Sequence, residues 1–306
     1  MIMKELTLEM TDGFLVNAFV LQPDGEPKGH IHLLHGMAEH IGRYAEFAQY
    51  LAGQGYVVSG HDHRGHGKTA ELNGQLGHFA DAGGFERVVQ DVYEIVTALQ
   101  ADYPAKRFIL FGHSMGSFVA RRYVQLHGAE VDLAVFSGTG GDPGISRFAG
   151  QAAAYLLGKK NGFDQPDHFL NNLLFGGFNK TVQNPKTPFD WLASNPEAVA
   201  EYLADPACGF VPTTRFFADL FEGVGKVHAA DEINNIPQTL PILLFSGIED
   251  PVGNHGKGVW NAAKHYDQAG IKDVTVMLFE GGRHEMLNEN NRQDVFKAVS
   301  NWIEKR

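Results

Sequence analysis

Most of this sequence alternates between short apolar segments and longer segments with helical periodicity, and this alternation restricts the possible folds more than any other feature. Between residues 85 and 99, valine, isoleucine and leucine recur every three or four positions, as on one face of a helix. The short apolar segments have the character of strands and lie at 30–34, 56–59, 107–111, 131–137, 242–246 and 274–279. Buried strands that alternate with helices predict an α/β fold, in which helices cover both faces of a mostly parallel sheet.

The amino-terminal segment departs from this alternation. Residues 5–21 have the pattern of two strands joined by a turn at Thr11–Gly13, because apolar and polar residues alternate before the turn and strand-forming residues follow it. Strands of a hairpin are antiparallel, so we expect these two at one edge of the sheet.

The alternation is lost between residues 140 and 221. This segment holds ten of the 22 phenylalanines in about a quarter of the chain. We therefore expect a body formed by residues 1–139 and 222–306, and an inserted helical cap at 140–221. The phenylalanines either pack the cap onto the body or line an acyl pocket, and the two roles are compatible.

Charge and composition exclude several classes of partner. The formal net charge is −11, and the sequence has no block of basic residues that could bind a phosphate backbone or an anionic membrane surface. The first ten residues lack the apolar core of a signal peptide, and no later segment is apolar over the thickness of a bilayer. We therefore expect a cytoplasmic protein without nucleic-acid partners or stable membrane insertion. Cys208 is the only cysteine, which excludes an internal disulfide and a cysteine-based zinc cluster, and no histidine lies near it in the sequence.

The strongest chemical signal is Gly112-His113-Ser114-Met115-Gly116, between a predicted strand and a predicted helix. A sharp turn at this place exposes the serine hydroxyl at the edge of the sheet, and glycines on both sides leave room for the turn. Ser114 is therefore the candidate nucleophile of a hydrolase. A glycine-rich connection in which the serine only caps the helix is the alternative.

A serine hydroxyl is a weak nucleophile at neutral pH, so it needs a histidine as base and a carboxylate that orients the histidine. Among 15 histidines, His284 is the candidate because it follows the last predicted strand, at the sheet edge expected for Ser114. Asp250 follows the strand before that and is the candidate acid. Glu249, next to it, and Asp142, one strand earlier, remain alternatives for the acid.

The reaction also needs hydrogen-bond donors for the carbonyl oxygen of the substrate, which becomes negatively charged in the intermediate. Two backbone N–H groups aimed at this oxygen would stabilise the intermediate by several kcal/mol. One is expected from Met115, the residue after the nucleophile, and the second from Met37 in the loop after the strand at 30–34.

Taken together, six segments of the sequence resemble the monoacylglycerol lipase and lysophospholipase branch of the α/β hydrolases, a branch related to the S33 serine aminopeptidases. The segments are His35–His40, Arg43–Tyr44, His61–Gly67, Gly112–Gly116, Glu249–Val252 and Gly282–Glu285. The resemblance implies the α/β-hydrolase fold with a cap, and cleavage of carboxylic esters of apolar acyl groups through an acyl-enzyme, without a cofactor. In that family the oxyanion donor after His-Gly is a small residue, whereas this chain has Met37, which either narrows the pocket near the carbonyl or is neutral.

The histidine-rich segment His61–His66 suggests a metal site at first sight. It resembles the His-x-His-x-Asp-His pattern of binuclear zinc hydrolases, but Gly65 stands where the carboxylate ligand belongs. We therefore expect no metal, and a structural role in which Asp62 and Arg64 shape the floor beneath the nucleophile.

Two other functions remain open at this stage. An aminopeptidase that acts on amino-terminal proline would need acidic groups in the cap for the substrate amine, and Asp190, Glu197, Glu201 and Asp205 are available there. A binding module without catalysis would be expected to lack a member of the set Ser114, Asp250 and His284, yet all are present. The expected partner is a small acyl ester.

Overall fold

The computed structural model describes residues 3–306, and a single eight-stranded sheet lies at its centre. The strands in chain order are β1 (Lys4–Glu9), β2 (Leu15–Leu21), β3 (His30–Leu34), β4 (Val57–His61), β5 (Phe108–His113), β6 (Leu133–Ser137), β7 (Ile242–Gly247) and β8 (Val274–Phe279). Their spatial order is β1-β2-β4-β3-β5-β6-β7-β8. β1 and β2 run antiparallel at one edge, and β4, β3, β5, β6, β7 and β8 are parallel. The predicted fold class is confirmed.

Helices cover the sheet on both faces. They are α1 (Ala45–Gly53), α2 (Gly67–Asn73), α3 (Gly84–Asp102), α4 (Met115–His127), α5 (Ile145–Asn161), α6 (His168–Phe175), α7 (Pro196–Ala204), α8 (Thr214–Val227), α9 (Ala230–Ile233), α10 (Lys257–Gln268) and α11 (Arg292–Glu304). Among residues 3–306, no helix has both the length and the apolar character that crossing a membrane requires.

Two hydrophobic clusters, one on each face of the sheet, form the main core. Successive residues of a strand point to opposite faces, so in β5 Leu110 packs with α3, α4 and α10, whereas Ile109 and Phe111 pack with α1 and α11. Every residue of β5 is buried. This burial on both faces explains why the central strands have continuous apolar sequences instead of alternating ones.

The helices α5 to α9 lie between β6 and β7, where the sequence predicts an insertion. The helix α8 crosses the expected boundary at residue 221 and contacts α3 and α4 of the body as well as α5. It therefore connects the segment predicted as an insertion, residues 140–221, with the helices α3 and α4. We keep the name cap for this segment.

Candidate active site

Ser114 lies in the turn between the end of β5 and the start of α4. Its φ of 52° and ψ of −118° are rare for a residue with a side chain and mark a strained backbone. A Cβ at Gly112 would collide with the backbone of Gly116, and a Cβ at Gly116 would collide with the backbone oxygens of Leu34 and His35. Glycine at these positions therefore lets α4 approach β3 closely enough to hold the serine in this turn.

His284 and Asp250 form a hydrogen-bonded pair in loops that follow β8 and β7. Nδ1 of His284 lies 3.0 Å from Oδ1 of Asp250. The other carboxylate oxygen accepts a hydrogen bond of 2.6 Å from the Ser246 hydroxyl, and the Val252 amide donates to Oδ1 at 2.8 Å. The carboxylate is thus fixed by its neighbours. It favours the tautomer with the proton on Nδ1, which leaves Nε2 able to accept a proton.

The two side chains stabilise each other's charge. Both are buried, with 3% of His284 and 0% of Asp250 exposed. Burial by itself would lower the pKa of His284 and raise that of Asp250. Burial is the largest single influence, but the opposite charges and the hydrogen bonds around each group together outweigh it, so the pKa of His284 lies above its ordinary 6.5 and the pKa of Asp250 lies below its ordinary 3.8. Such mutual shifts are typical of a base that must hold a proton transiently.

Ser114 and His284 line the same small pocket, together with His113. A Cβ at Gly138 would lie 2.9 Å from the ring of His113 and 3.0 Å from that of His284, so glycine at this position makes room for both imidazoles. Within the described residues, the Ser114 hydroxyl has no hydrogen-bond partner. The three predicted residues therefore lie at one place, where the imidazole is hydrogen-bonded to the carboxylate and shares a pocket with the hydroxyl.

Met37 and Met115 line the larger cavity beside the candidate nucleophile. Across residues 3–306, neither backbone N–H donates to a protein acceptor, so both can donate to a substrate oxygen. Ala38, with φ of 54°, turns the chain directly after Met37. Its carbonyl accepts hydrogen bonds of 2.9 Å from the Tyr202 hydroxyl and from the Gly209 amide, so the cap holds this loop.

A buried ion-pair network supports the same loop, and the sequence reasoning did not identify it. Arg43 donates to Glu39 at 2.7 Å and to the two carboxylate oxygens of Glu285 at 2.6 and 2.7 Å. Glu39 also accepts from the Gly36 amide at 2.5 Å and from the Tyr44 hydroxyl at 2.9 Å. The network joins the loop after β3 to the residue that follows the candidate base. Burial alone would raise the pKa of Glu285, but Arg43 lowers it to about 2.

The two alternative acids do not contact the imidazole. Asp142 is exposed, accepts a hydrogen bond of 2.8 Å from the Gly144 amide and lies 3.8 Å from Nη1 of Arg147. Glu249 is also exposed and lies 3.8 Å from Nε of Arg283. The geometry therefore supports Asp250 as the partner of the base.

The histidine-rich loop after β4 is tied to its surroundings by charged side chains. Asp62 accepts a hydrogen bond of 2.8 Å from the backbone of the segment after β3, and Arg64 pairs with Asp91 at 2.5 Å. The His63 amide donates to Nε2 of His35 at 2.9 Å. Asp62 and His63 are thus bonded to residues on either side of the loop that carries Met37, and Arg64 is bonded to α3.

Cys208 lies beside His40 and Asp205, although no histidine is near it in the sequence. Within residues 3–306, these three side chains form the one group of three potential metal ligands that lie close together. Nε2 of His40 is bonded to Asp205 at 2.8 Å, and burial raises the pKa of the Cys208 thiol to about 12. A thiol that stays protonated is a poor ligand and a poor nucleophile, so this group does not compete with Ser114 as a reactive centre.

Two cavities meet at Ser114. The larger has a volume of about 650 Å³ and lies among apolar side chains of α4, α5, α6 and α8. The smaller has a volume of about 70 Å³ and is lined mainly by aromatic and other apolar side chains, with a few polar groups, among them Glu39 and Glu285. Met37, Ser114 and Phe175 line both cavities and so mark the boundary between them.

The cap phenylalanines fall into two groups. Phe216 and Phe217 are buried in the core cluster beneath the cap. The larger cavity is lined by four others, Phe169, Phe175, Phe178 and Phe221. The cap therefore contributes both to packing and to the wall of the cavity.

Known proteins resemble this chain over nearly its whole length. Residues 25–291 match the family model described as serine aminopeptidase, S33. A monoacylglycerol lipase from Mycolicibacterium smegmatis is 30% identical over 297 residues, which cover 93% of this chain and 91% of that protein. A thermostable carboxyl esterase from Bacillus coagulans superposes with a TM-score of 0.92 at 30% identity, over 100% of this chain and 99% of that one. A lipase solved in its open form gives a TM-score of 0.90 at 27% identity, over 99% of both chains. The chain therefore belongs to the serine aminopeptidase S33 family of α/β hydrolases, in the branch of the monoacylglycerol lipases.

Proposed function

We propose that this protein hydrolyses carboxylic esters of apolar acyl groups, and that monoacylglycerols are the substrate class that its two cavities fit best. The observation that carries the proposal is the apolar cavity of about 650 Å³ beside Ser114. Apolar pockets of this size bury most of the surface of a ligand, and a long acyl chain is the apolar part of such an ester. The lipase and esterase relatives support the same reaction class.

The reaction proceeds in two stages. Ser114 attacks the ester carbonyl while its proton moves to Nε2 of His284, and Asp250 stabilises the imidazolium. The amides of Met37 and Met115 donate to the oxyanion. The intermediate collapses to an acyl-enzyme as the alcohol leaves with the proton from His284. Water then attacks the acyl carbonyl with His284 again as base, and the fatty acid is released. No cofactor takes part.

The cap, residues 140–221, selects the acyl group. Its helices α5 and α6 supply much of the larger cavity's wall. Burial of one methylene contributes about 0.8 kcal/mol, which corresponds to a gain in kcat/KM of up to about fourfold per added methylene until the cavity is full. Preference for acyl length should therefore change when side chains on these two helices change.

The smaller cavity selects the alcohol. Its volume of about 70 Å³ suits an alcohol the size of glycerol, and no lysine or arginine is among its described lining residues. A phosphodiester group would lie near the carboxylates of Glu39 and Glu285. No cationic side chain of the cavity would be free to pair with it, because Arg43 is bonded to both carboxylates. These features favour a small neutral alcohol over the head group of a lysophospholipid.

The aminopeptidase alternative finds less support. The four acidic residues of the cap that could hold a substrate amine line neither of the two cavities at Ser114: Asp190, Glu197, Glu201 and Asp205. Glu39 and Glu285 do line the smaller cavity, but both are hydrogen-bonded to Arg43. A substrate amine would therefore have to compete with Arg43 for these carboxylates.

The experiment is a substrate panel on purified protein. It compares monoacylglycerols of increasing acyl length, lysophosphatidylcholine with a matched acyl chain, and a prolyl amide, with Ser114→Ala as control. We expect kcat/KM to rise with acyl length and then level off, with monoacylglycerol above lysophospholipid. Preference for the prolyl amide, or equal rates on acetyl and long-chain esters, would contradict the proposal.

A further inference from the structure

A short segment of the cap is hydrogen-bonded to the loop that carries the candidate base. The guanidinium of Arg283, the residue before the base, donates to the backbone carbonyls of Asp190 and Ala193 at 2.7 and 3.0 Å. The amide of Glu285, the residue after the base, donates to the carbonyl of Leu192 at 2.7 Å. Both neighbours of the base in the chain are therefore bonded to this segment of the cap.

Trp191 lies in the middle of the segment, and its indole packs against the imidazole of His284. The two ring centroids are 5.1 Å apart, and the ring planes are inclined by 40°. Phe175 stacks on the indole at 5.9 Å, and Phe178 meets it edge-on at 5.0 Å. Only 6% of Trp191 is exposed. The indole is thus fixed in place and covers one side of the imidazole with an aromatic surface.

A buried carboxylate fixes the end of the same segment. Glu289 accepts hydrogen bonds from the amide of Arg283 at 2.8 Å and from the amide of Ser194 at 2.9 Å, and it is 1% exposed. It also accepts a hydrogen bond from the Ser194 hydroxyl. Hydrogen bonds on both sides therefore determine how Trp191 and His284 lie relative to each other, in addition to the contact between the rings.

The charge of the imidazole changes during the proposed reaction. In each stage His284 takes up a proton and becomes a cation for a short time. A cation within about 6 Å of the centre of an aromatic ring is attracted to the ring, most strongly when the ring is that of tryptophan and water is excluded. The 5.1 Å separation of two buried rings meets these conditions. The indole therefore stabilises the protonated imidazole more than the neutral one.

Four titratable side chains also face this imidazole. Burial lowers the pKa of the imidazole, and the charges of Asp250, Glu285 and Glu39 raise it. The ring of His113 lies 4.7 Å away, but burial lowers the pKa of His113 to about 3, so that ring is neutral above pH 5. Replacement of Trp191 leaves all four groups in the protein, so its effect can be measured separately from theirs.

We infer that Trp191 is a positioning residue for the base: its indole holds the imidazole of His284 in place and stabilises the protonated form during each proton transfer. This role rests on the proposed function, in which His284 is the base. If Trp191 only filled space between the cap and the body, the indole would not respond to the charge of the imidazole. The tests therefore measure that charge.

The first test is intrinsic fluorescence between pH 5 and 9, because a protonated imidazole quenches a neighbouring indole. The difference between the parent and Trp191→Phe separates the emission of Trp191 from that of Trp260 and Trp302. We expect this emission to decrease as the pH falls, with the same midpoint as the acidic limb of kcat/KM, and to be independent of pH in a His284→Ala background. Emission that is constant over this range in the parent, or that changes equally without His284, would overturn the inference.

The second test compares Trp191→Phe, which keeps an aromatic ring, with Trp191→Leu, which keeps only apolar volume. We expect the acidic limb of kcat/KM to lie about one pH unit lower in Trp191→Leu than in the parent, with a plateau about tenfold lower, and Trp191→Phe to lie between the two. Trp260→Phe is the matched control, because Trp260 is 57% exposed and should leave the profile unchanged. An acidic limb in Trp191→Leu at the parent's pH or above it, or equal profiles for the two variants, would refute the role of Trp191.

Failure of the proposed function would give a different result. The fluorescence measurement needs no substrate, so a protein that hydrolyses none of the esters would still show whether the indole responds to His284. An esterase that loses its activity in Ser114→Ala, but shows neither quenching nor a shifted profile, would keep the proposed function and refute the role of Trp191.

Discussion

At the scale of single residues, Asp250 controls the protonation of His284. The carboxylate lies 3.0 Å from Nδ1 and holds the pKa of His284 above 6.5. The base must be neutral to accept the serine proton, so activity should rise with pH through this pKa. Without the carboxylate, the burial of His284 lowers the pKa, and the rise should begin at lower pH.

We therefore predict that Asp250→Asn shifts the acidic limb of the profile of kcat/KM against pH to lower values. It should also lower the plateau by about 10⁴-fold, as in other serine triads, because the imidazole loses the partner that selects its tautomer. Rates measured between pH 5 and 9 test both parts. A variant that keeps the parent's plateau would exclude Asp250 as the orienting acid.

Position after a strand was enough to select some residues of the candidate site but not others. Ser114, Asp250 and His284 follow β5, β7 and β8, and parallel strands bring their carboxyl ends to one edge. No such rule exists for Arg43 and Glu285, which are 242 positions apart and interact through a hydrogen bond of 2.6 Å. Only the folded chain reveals that contact.

At the scale of elements, the approach of α4 to β3 depends on Gly116. A Cβ there would collide with backbone oxygens of β3 and the following residue, which have little room to move. We predict that Gly116→Ala strongly lowers both the free energy of unfolding and the esterase activity. Gly177→Ala is the matched control, because nothing lies within 4 Å of a Cβ at Gly177. Urea denaturation and initial rates measure the two effects, and an active, fully stable Gly116→Ala protein would contradict this account.

The strands and helices with strong periodicity were predictable from the sequence, and those fixed by distant contacts were not. The predicted strands at 30–34 and 274–279 agree with β3 and β8, and the helical periodicity at 85–99 falls within α3. The helix α2 was not predicted, because it begins at a glycine and its first turn is capped from upstream: the Lys68 amide donates to Asp62 at 3.0 Å. In the cap, where the helices pack around a cavity, the alternation that identified the body is absent.

At the scale of the whole molecule, buried histidines make stability depend on pH. Six of them lie on β3, β4 and the loops that follow, and the Ser59 hydroxyl lies 2.7 Å from the rings of both His30 and His32. Burial lowers the pKa of His30 and His66 to about 4 and that of His63 to about 3. Each has an ordinary pKa of 6.5 in the unfolded chain, so the unfolded chain binds more protons as the pH falls below this value.

We predict that this contribution to the free energy of unfolding is complete above pH 6.5 and decreases as the pH falls toward 4. Each histidine that titrates only in the unfolded chain adds about 1.4 kcal/mol per pH unit to the slope. His30→Gln removes one such group and should make the slope shallower by about that amount. Urea denaturation at several pH values measures this, and a free energy that is equal or greater at pH 5 than at pH 7 would contradict the prediction.

The central claim is that Ser114 is the activated nucleophile of a site formed by distant loops. Intact-mass spectrometry after treatment with a fluorophosphonate tests it directly, because this reagent forms a covalent adduct only with a serine that a base activates. We predict one adduct per chain on Ser114, loss of esterase activity in proportion to labelling, and no adduct on Ser114→Ala or on His284→Ala. An unlabelled native protein, as expected for a binding module, or a Ser114→Ala protein that keeps the parent's activity would contradict the account.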